Sequence, residues 1–241
     1  MGGNDISQII GNILKKYYRI VFVFRKRKKS FSSFEQRVIP VNGFQSYKKL
    51  FNELKPSFII NMYSVFSDDI DLNYDVNIRL SLFLINFFSN SKTKLILIGT
   101  AAEYGTSPYK IKFKETDKLK PNNYYGLSKS IQSTILLKYA KVISTKTIVL
   151  RIFNIYGNIT AKHLLIGKIN RLLIKKKNIF KLGSLQDYRD YMSSNKTAKM
   201  IIKCMIRGKH YTIYNIGSGK LIKVRNLLKT YFKKKNLLNT K

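Results

Sequence analysis

The amino-acid sequence predicts an α/β fold with a doubly wound parallel sheet, and three observations support this prediction. Short runs of β-branched and aromatic residues alternate with longer segments of helical periodicity, which is the rhythm of repeated strand–helix–strand units. Several runs are continuously apolar, as expected for strands buried on both faces. A length of 241 residues, 44% of them apolar, allows either one large α/β domain or a large domain plus a small lobe.

The first part of the chain supplies most of the predicted elements. Strands are predicted at 19–24, 57–61, 94–98 and 147–151. Helices are predicted at 7–16, 47–54, 72–89 and 125–141. Because helices separate successive strands, the strands are expected to lie parallel.

The pattern becomes less regular after about Phe153. Helices are predicted at 164–173, 195–206 and 225–232, and strands near 178–182 and at 211–216. No repeat or low-complexity linker separates this region from the rest. We interpret it as a small lobe over one edge of the sheet.

The charge is strongly positive, with 46 Lys and Arg against 12 Asp and Glu and a formal net charge of +34. Such a balance is typical of proteins with a polyanionic partner, so nucleic-acid binding is one hypothesis, and it would require steep salt dependence. The lysines are scattered along the chain, however, and the enriched residue types have A- and T-rich codons. A compositional bias of the genome therefore explains the charge without a nucleic acid.

Few residues are suited to metals or disulfides. The single cysteine, Cys204, excludes an internal disulfide and fits a reducing compartment. The histidines, His163 and His210, lack companions at metal-ligand spacing, so no metal site is expected. Because neither a secretory signal nor an apolar run of ~18 residues is found, we expect a cytoplasmic protein without a membrane partner.

The residues most suited to catalysis are Tyr125 and Lys129, which are four apart at the start of a predicted helix and therefore share one face. A cation ~4 Å from a tyrosine, at an effective dielectric of ~20, is worth ~4 kcal/mol and would lower the tyrosine pKa toward neutrality. Tyr125 could then exchange a proton with a sugar hydroxyl or carbonyl. Thr100 follows an apolar strand, and the carboxyl ends of parallel strands are where open α/β sheets bind ligands.

Five motifs in order resemble one family. They are Gly99-Thr100-Ala101-Ala102-Glu103-Tyr104-Gly105, Tyr125-Gly126-Leu127-Ser128-Lys129, Arg151-Ile152-Phe153-Asn154-Ile155-Tyr156-Gly157, and the stretches around Tyr188-Arg189-Asp190-Tyr191 and Gly217-Ser218-Gly219. Together they resemble the extended short-chain dehydrogenase/reductases, the NAD-dependent epimerase/dehydratases of nucleotide sugars. The resemblance implies a Rossmann-like cofactor-binding domain over 1–153 and a truncated substrate-binding lobe over 154–241, packed on the same core.

The resemblance also implies roles for individual residues. Thr100 would bind the reacting sugar oxygen, and Tyr125 and Lys129 would supply acid–base catalysis and hold the nicotinamide ribose. Asn154 and Arg189 would hold the substrate diphosphate, a role for which amide and guanidinium donors are suited. For Arg189, an ion pair with a neighbouring aspartate remains an alternative.

The cofactor site departs from the family pattern. The family begins with a strand that leads into a glycine-rich turn, whereas here only Met1 precedes Gly2 and Gly3, and Gly11 follows at unusual spacing. We therefore expect a sheet without its first strand, in a chain that is either a fragment or eroded at its cofactor site. Gly2, Gly3 and Gly11 are the glycines assigned to that site. At the end of the next strand, Arg25 and Arg27 favour the 2′-phosphate of NADP over NAD, although in so basic a chain they are equally explained by chance.

From these features, the main functional hypothesis is that the protein is an NAD(P)-dependent 4-keto reductase or 4-epimerase of a nucleotide sugar. The Thr100 motif and the segment around Arg189 look most like the reductases of GDP-4-keto-6-deoxymannose. Dehydration is disfavoured, because alanines occupy two positions where dehydratases carry acidic residues. The alternative is an eroded homologue that keeps only the fold, and the assembly, including a homodimer, is left open.

Overall fold

The computed structural model describes residues 5–67, 69–106, 109–157, 165–174 and 185–234. Its strands are β1 (Val21–Phe24), β2 (Glu35–Val38), β3 (Phe58–Asn61), β4 (Lys94–Thr100), β5 (Thr147–Ile152), β6 (Asn154–Tyr156), β7 (Tyr188–Ser193), β8 (Thr212–Ile216) and β9 (Leu221–Lys223). Its α-helices are α1 (Asp5–Leu14), α2 (Phe44–Leu54), α3 (Ile70–Asn73), α4 (Leu80–Phe87), α5 (Tyr124–Ile131), α6 (Leu137–Val142), α7 (Leu165–Ile174), α8 (Ser194–Arg207) and α9 (Val224–Lys234).

Two of the long helices contain π-helical turns. The segment Tyr74–Arg79 joins α3 to α4, and Gln132–Leu136 joins α5 to α6, so each pair forms one continuous helix. The tighter 3-10 turn Ala101–Tyr104 follows β4 directly. It places the residues after β4 at the start of α5, where the candidate site lies.

The central sheet has the order β3-β4-β5-β8, and all of its pairs are parallel. A second, two-stranded parallel sheet contains β1 and β2. A third sheet joins β6 to β7 in parallel and β7 to β9 antiparallel. The structure is therefore the predicted Rossmann-like α/β fold with additional strands near the end of β5.

Helices cover both faces of the central sheet. Side chains alternate between the two faces along each strand, so neighbouring residues pack in different cores. Leu95 and Leu97 of β4 pack in a core with α2, α4 and α6. Ile96, between them, belongs to a second core with Ile10 of α1 and Ile201 of α8. The resulting helix–sheet–helix sandwich accounts for the continuously apolar strands in the sequence.

An apolar cavity of about 410 Å³ lies between β1 and β3. Every residue of both strands lines the cavity. Because neighbouring side chains of a strand point to opposite faces, a cavity in contact with all of them must run along the edges of the two strands. Tyr18, just before β1, packs its ring 5.8 Å from that of Phe58 at the start of β3. At the other end of the strands, Arg25 lies close enough to Tyr63 for its charge to oppose the rise that burial causes in the pKa of Tyr63. The two strands therefore run in the same direction on either side of the cavity without pairing.

Most predicted elements in the described ranges are found within a few residues of their expected bounds. The structure also contains four strands that the sequence does not predict, β2, β6, β7 and β9. The strand expected near 178–182 lies outside the described residues. β8 pairs with β5, so the region after Phe153 contributes to the central sheet, and the division at residue 153 stays a prediction. None of the described helices has the length and apolarity needed to cross a membrane.

Candidate active site

The candidate site lies where β4 and α5 meet. Thr100 is the last residue of β4, and Tyr125 is in the first turn of α5. The Thr100 and Ser64 side chains both lie close enough to the Tyr125 hydroxyl to act on its pKa as hydrogen-bonding groups. Ser64 follows β3, so three segments bring hydroxyl groups to the carboxyl edge of the sheet. The sequence analysis predicted Thr100 and Tyr125 but missed Ser64, which no motif marks.

The start of α5 is held close to the turn after β4. Asn123 caps the helix, because its side-chain oxygen accepts the Gly126 N–H at 2.8 Å. A Cβ at Gly126 would lie only 2.7 Å from the carbonyl oxygen of Ala102. Glycine at this position therefore allows the backbone of α5 to approach the 101–104 turn, which brings Tyr125 to Thr100.

Burial raises the pKa of Tyr125, and the charge of Glu103 acts in the same direction. The hydrogen bonds from Ser64 and Thr100 oppose this effect. The lowering by Lys129 that the spacing predicts is not among the causes. On the outer side, the ring of Phe66 packs edge-on against the Tyr125 ring at 5.5 Å.

Lys129 is almost completely buried, with 1% of its surface exposed. Its Nζ donates to the carbonyl oxygen of Ile98 at 2.8 Å and to Gln132 Oε1 at 2.9 Å. Burial lowers the pKa of Lys129 to about 8, although the Glu103 carboxylate acts in the opposite direction. Two of the three ammonium protons are thus bound by the protein, which holds the side chain beside the end of β4.

The substrate-binding candidates lie on adjacent strands beyond β5. Asn154 is in β6, and its Nδ2 donates to the carbonyl oxygen of Asp190 at 3.0 Å. Arg189 is in β7, and its Nη2 lies 2.8 Å from Asp187 Oδ2, which is the ion pair left open above. The Asp190 carboxylate instead accepts the backbone N–H of Gly219 at 2.7 Å and so holds the turn after β8. The roles of Asn154 and Arg189 in substrate binding stay predictions.

The cofactor candidates are more dispersed. Gly2 and Gly3 lie outside the described residues. Gly11 is within α1, and a Cβ there would lie 2.8 Å from the Phe22 ring, so this glycine lets α1 pack closely on β1. Arg25 and Arg27 are exposed just after β1.

The described residues nevertheless fit a nicotinamide dinucleotide. The Ser7 hydroxyl donates to Met62 Sδ at 3.4 Å, which places the first turn of α1 beside the end of β3, near Ser64. Helix N-termini favour phosphate groups. Tyr125 and Lys129, the residues expected to hold the nicotinamide ribose, both lie beside the end of β4. In the described ranges, no group of three or more His, Cys, Asp or Glu could hold a metal ion.

Comparison with known proteins identifies related sequences. The model of the NAD dependent epimerase/dehydratase family matches residues 6–217. The chain is 34% identical over 155 residues to dTDP-4-dehydro-6-deoxyglucose reductase from Escherichia coli, a match that covers 61% of this chain and 48% of the relative. It is 22% identical over 214 residues to GDP-6-deoxy-D-talose 4-dehydrogenase from Aggregatibacter actinomycetemcomitans, which covers 83% and 70% of the two chains. The match to the E. coli reductase thus spans about half of that enzyme.

Solved structures with the same fold include enzymes of nucleotide sugars. UDP-glucose 4-epimerase from Thermotoga maritima, determined with UDP-glucose, superposes with a TM-score of 0.88 at 18% identity, covering 100% of this chain and 82% of the epimerase. dTDP-glucose 4,6-dehydratase from Bacillus anthracis, determined with NAD, has a TM-score of 0.87 at 20% identity, covering 98% and 79%. At this level of identity the likeness shows the fold.

Proposed function

This chain belongs to the NAD-dependent epimerase/dehydratase family, and from this membership we propose that it is a 4-keto reductase or 4-epimerase of a nucleotide sugar with Thr100, Tyr125 and Lys129 as its acid–base site. The observation that carries the proposal is the meeting of the Thr100 and Tyr125 side chains where β4 ends and α5 begins, with Lys129 buried one turn further along α5. The named reductase and dehydrogenase relatives support it.

Tyr125 would move the proton. In the reductase direction, its hydroxyl donates a proton to the C4 oxygen of the sugar as a hydride reaches the carbonyl carbon, and it regains a proton from solvent. In the first half of an epimerisation, Tyr125 would first lose its own proton to solvent, and the phenolate oxygen would then take the proton from the C4 hydroxyl as the hydride leaves. A bound nicotinamide cofactor would supply or accept that hydride.

Thr100 and Lys129 would support this transfer. The Thr100 hydroxyl, which lies beside Tyr125, would hydrogen-bond the reacting sugar oxygen and orient it. The Lys129 ammonium keeps one N–H beyond those bound by Ile98 and Gln132, and this donor would hold the ribose. A pKa of about 8 keeps Lys129 mostly protonated at neutral pH.

Dehydration is not proposed, because Glu103, the one acidic residue of the Thr100 motif, is completely buried. Its carboxylate binds Arg151 and Ser133 and the Thr100 N–H. It therefore lacks the access to substrate that an acid–base group for water elimination would need.

The direct test replaces Tyr125 by Phe and uses Tyr124→Phe, at the exposed neighbouring tyrosine, as a matched control. The reductase probes are NADPH with either dTDP-4-dehydro-6-deoxyglucose or GDP-4-dehydro-6-deoxymannose, and the epimerase probe is UDP-glucose with the oxidised cofactor. With these probes we expect Tyr125→Phe to lower kcat by about 10²–10⁴-fold. Tyr124→Phe should retain turnover. More than half of the parent activity in Tyr125→Phe would exclude Tyr125 as the acid–base group, and no turnover by the parent with any probe would favour the eroded homologue.

We further propose that NADP is preferred over NAD. Arg25 and Arg27 are exposed after β1, where guanidinium groups would bind a 2′-phosphate through charge-assisted hydrogen bonds. Arg25→Asp or Arg27→Asp should then reverse the order of the two dissociation constants. Lys138→Asp makes the same change of charge on an exposed part of α6 and controls for the general basic surface. An order of affinities that stays the same in the arginine variants would contradict the preference.

A further inference from the structure

A buried ion pair lies directly behind Thr100, among groups with no role yet in the reaction. Glu103 is completely buried, Arg151 is 1% exposed, and Arg151 Nε lies 2.7 Å from Glu103 Oε2. Removing two charges from water is expensive, and well-packed apolar residues often give equal or greater stability. Stability alone is therefore a weak explanation for a charged pair at this position.

The Glu103 carboxylate connects three elements that meet at the site. Its Oε1 accepts the backbone N–H of Thr100, at the end of β4, at 2.8 Å. Its Oε2 accepts the hydroxyl proton of Ser133, in the π-helical segment that continues α5, and the Nε–H of Arg151 on β5. Arg151 Nη2 also donates to Ser133 Oγ at 2.9 Å, which closes the network into a ring.

The far side of the guanidinium is held as well. Arg151 Nη1 donates to the Tyr104 hydroxyl at 2.9 Å and to the carbonyl oxygen of Glu115 at 3.2 Å. The guanidinium carbon lies 4.9 Å from the centre of the Tyr104 ring, which is also stacked on the ring of Phe113 at 4.7 Å. Arg151 is therefore a rigid anchor for Glu103.

The backbone leaves room for this arrangement at Gly99, where a Cβ would lie 2.6 Å from Glu103 Oε1. The Ala102 N–H donates to the Thr100 hydroxyl oxygen at 3.3 Å, and Glu103 binds the Thr100 N–H, so both groups of Thr100 are held by its own turn. The Thr100 hydroxyl proton then remains available for Tyr125.

We propose that Glu103 and Arg151 are positioning residues that hold the end of β4 and the helix beginning with α5 in the register at which the Thr100 hydroxyl meets Tyr125. The pair contacts no reacting atom. The catalytic meaning of this register rests on the proposed function above, whereas its effect on Tyr125 can be measured without any substrate.

The test compares two variants in the ring with one matched control. Glu103→Gln removes the charge and keeps the shape. Ser133→Ala removes a single hydroxyl and is the milder variant, so it carries the test if Glu103→Gln fails to fold. Thr145→Val is the control, because Thr145 is completely buried and its hydroxyl donates to the carbonyl oxygen of Ile85 at 2.7 Å, in a separate part of the core.

The first readout is the ¹³Cζ resonance of Tyr125 in tyrosine-labelled protein at pH 7.5, assigned by its absence in Tyr125→Phe. We expect it to move in Ser133→Ala and in Glu103→Gln and to stay in place in Thr145→Val, even where Thr145→Val lowers the Tm as much. The second readout is turnover with the probes above. Loss of one hydrogen bond to a charged group should lower kcat about tenfold in Ser133→Ala while KM stays within about twofold.

The two readouts separate the two proposals. A parent chain without turnover, in which the Tyr125 resonance still moves in the ring variants, would contradict the proposed function and support the positioning role. An active parent whose kcat and Tyr125 resonance are unchanged in Ser133→Ala would overturn the positioning role and leave the function standing. Equal effects in Thr145→Val would show that the ring contributes only general core packing, which would also overturn the positioning role.

Discussion

Lys129 should make the free energy of unfolding rise with pH. A lysine in a surface ion pair has the opposite effect, because the pair raises its pKa. Burial lowers its pKa from 10.5 to about 8, so between these values the unfolded chain binds a proton that the folded chain does not. Stability rises with pH wherever the unfolded state binds more protons. The folded protein is therefore penalised at pH 7, and the penalty is relieved as the pH rises from about 8 toward 10.5.

The size of this effect follows from the pKa difference. A tenfold change in proton affinity corresponds to about 1.4 kcal/mol, so the full penalty is about 3 kcal/mol, most of it relieved between pH 7 and pH 10. Lys129→Met removes the titrating group. It also removes the hydrogen bonds to Ile98 and Gln132, but their loss is a nearly constant offset over this pH range.

The assay is urea unfolding of the parent and of Lys129→Met at several values between pH 7 and pH 10. The free energy of unfolding of the parent, minus that of the variant, should rise by about 2–3 kcal/mol over this range. Lys138→Met, on the exposed side of α6, corrects for the loss of one positive charge from a chain of net charge +34. A difference between parent and variant that is flat after this correction would refute the lowered pKa of Lys129.

Three further predictions concern packing around the site. Gly126→Ala should lower kcat at least tenfold, because its Cβ would lie 2.7 Å from the Ala102 carbonyl and push α5 from the turn; normal turnover would show that the close approach is dispensable. Asp190→Ala should lower the free energy of unfolding by about 3 kcal/mol in urea titrations, since the 217–219 turn loses its acceptor, and a loss below about 0.5 kcal/mol would argue against this contact. Ile96→Ala, at a completely buried position of β4, should cost about 2–5 kcal/mol by the same measurement, and a much smaller cost would mean that the second core is loosely packed.

The sequence alone was sufficient for the class of fold and for the central strands. The stretches 95–98 and 148–150 are continuously apolar and are flanked by polar residues or glycine, so their burial on both faces is encoded locally. The short strands β2 and β9 lack such a signal, because Glu35–Val38 and Leu221–Lys223 are only partly buried and carry charged residues. Their strand conformation comes from pairing with neighbours that are distant in the chain.

The sequence also marked Thr100, Tyr125 and Lys129, because their spacing and their position after a strand and at a helix start are local properties. It could not show their environment. Only the tertiary structure brings Ser64 to Tyr125, turns Lys129 toward Ile98 and Gln132, and buries Glu103 against Arg151. Burial and contacts across strands determine pKa values and the directions of hydrogen bonds, and they arise from segments up to tens of residues apart. The chemical groups of the candidate site were therefore predictable from the chain, whereas their environment and orientation were decided by the fold.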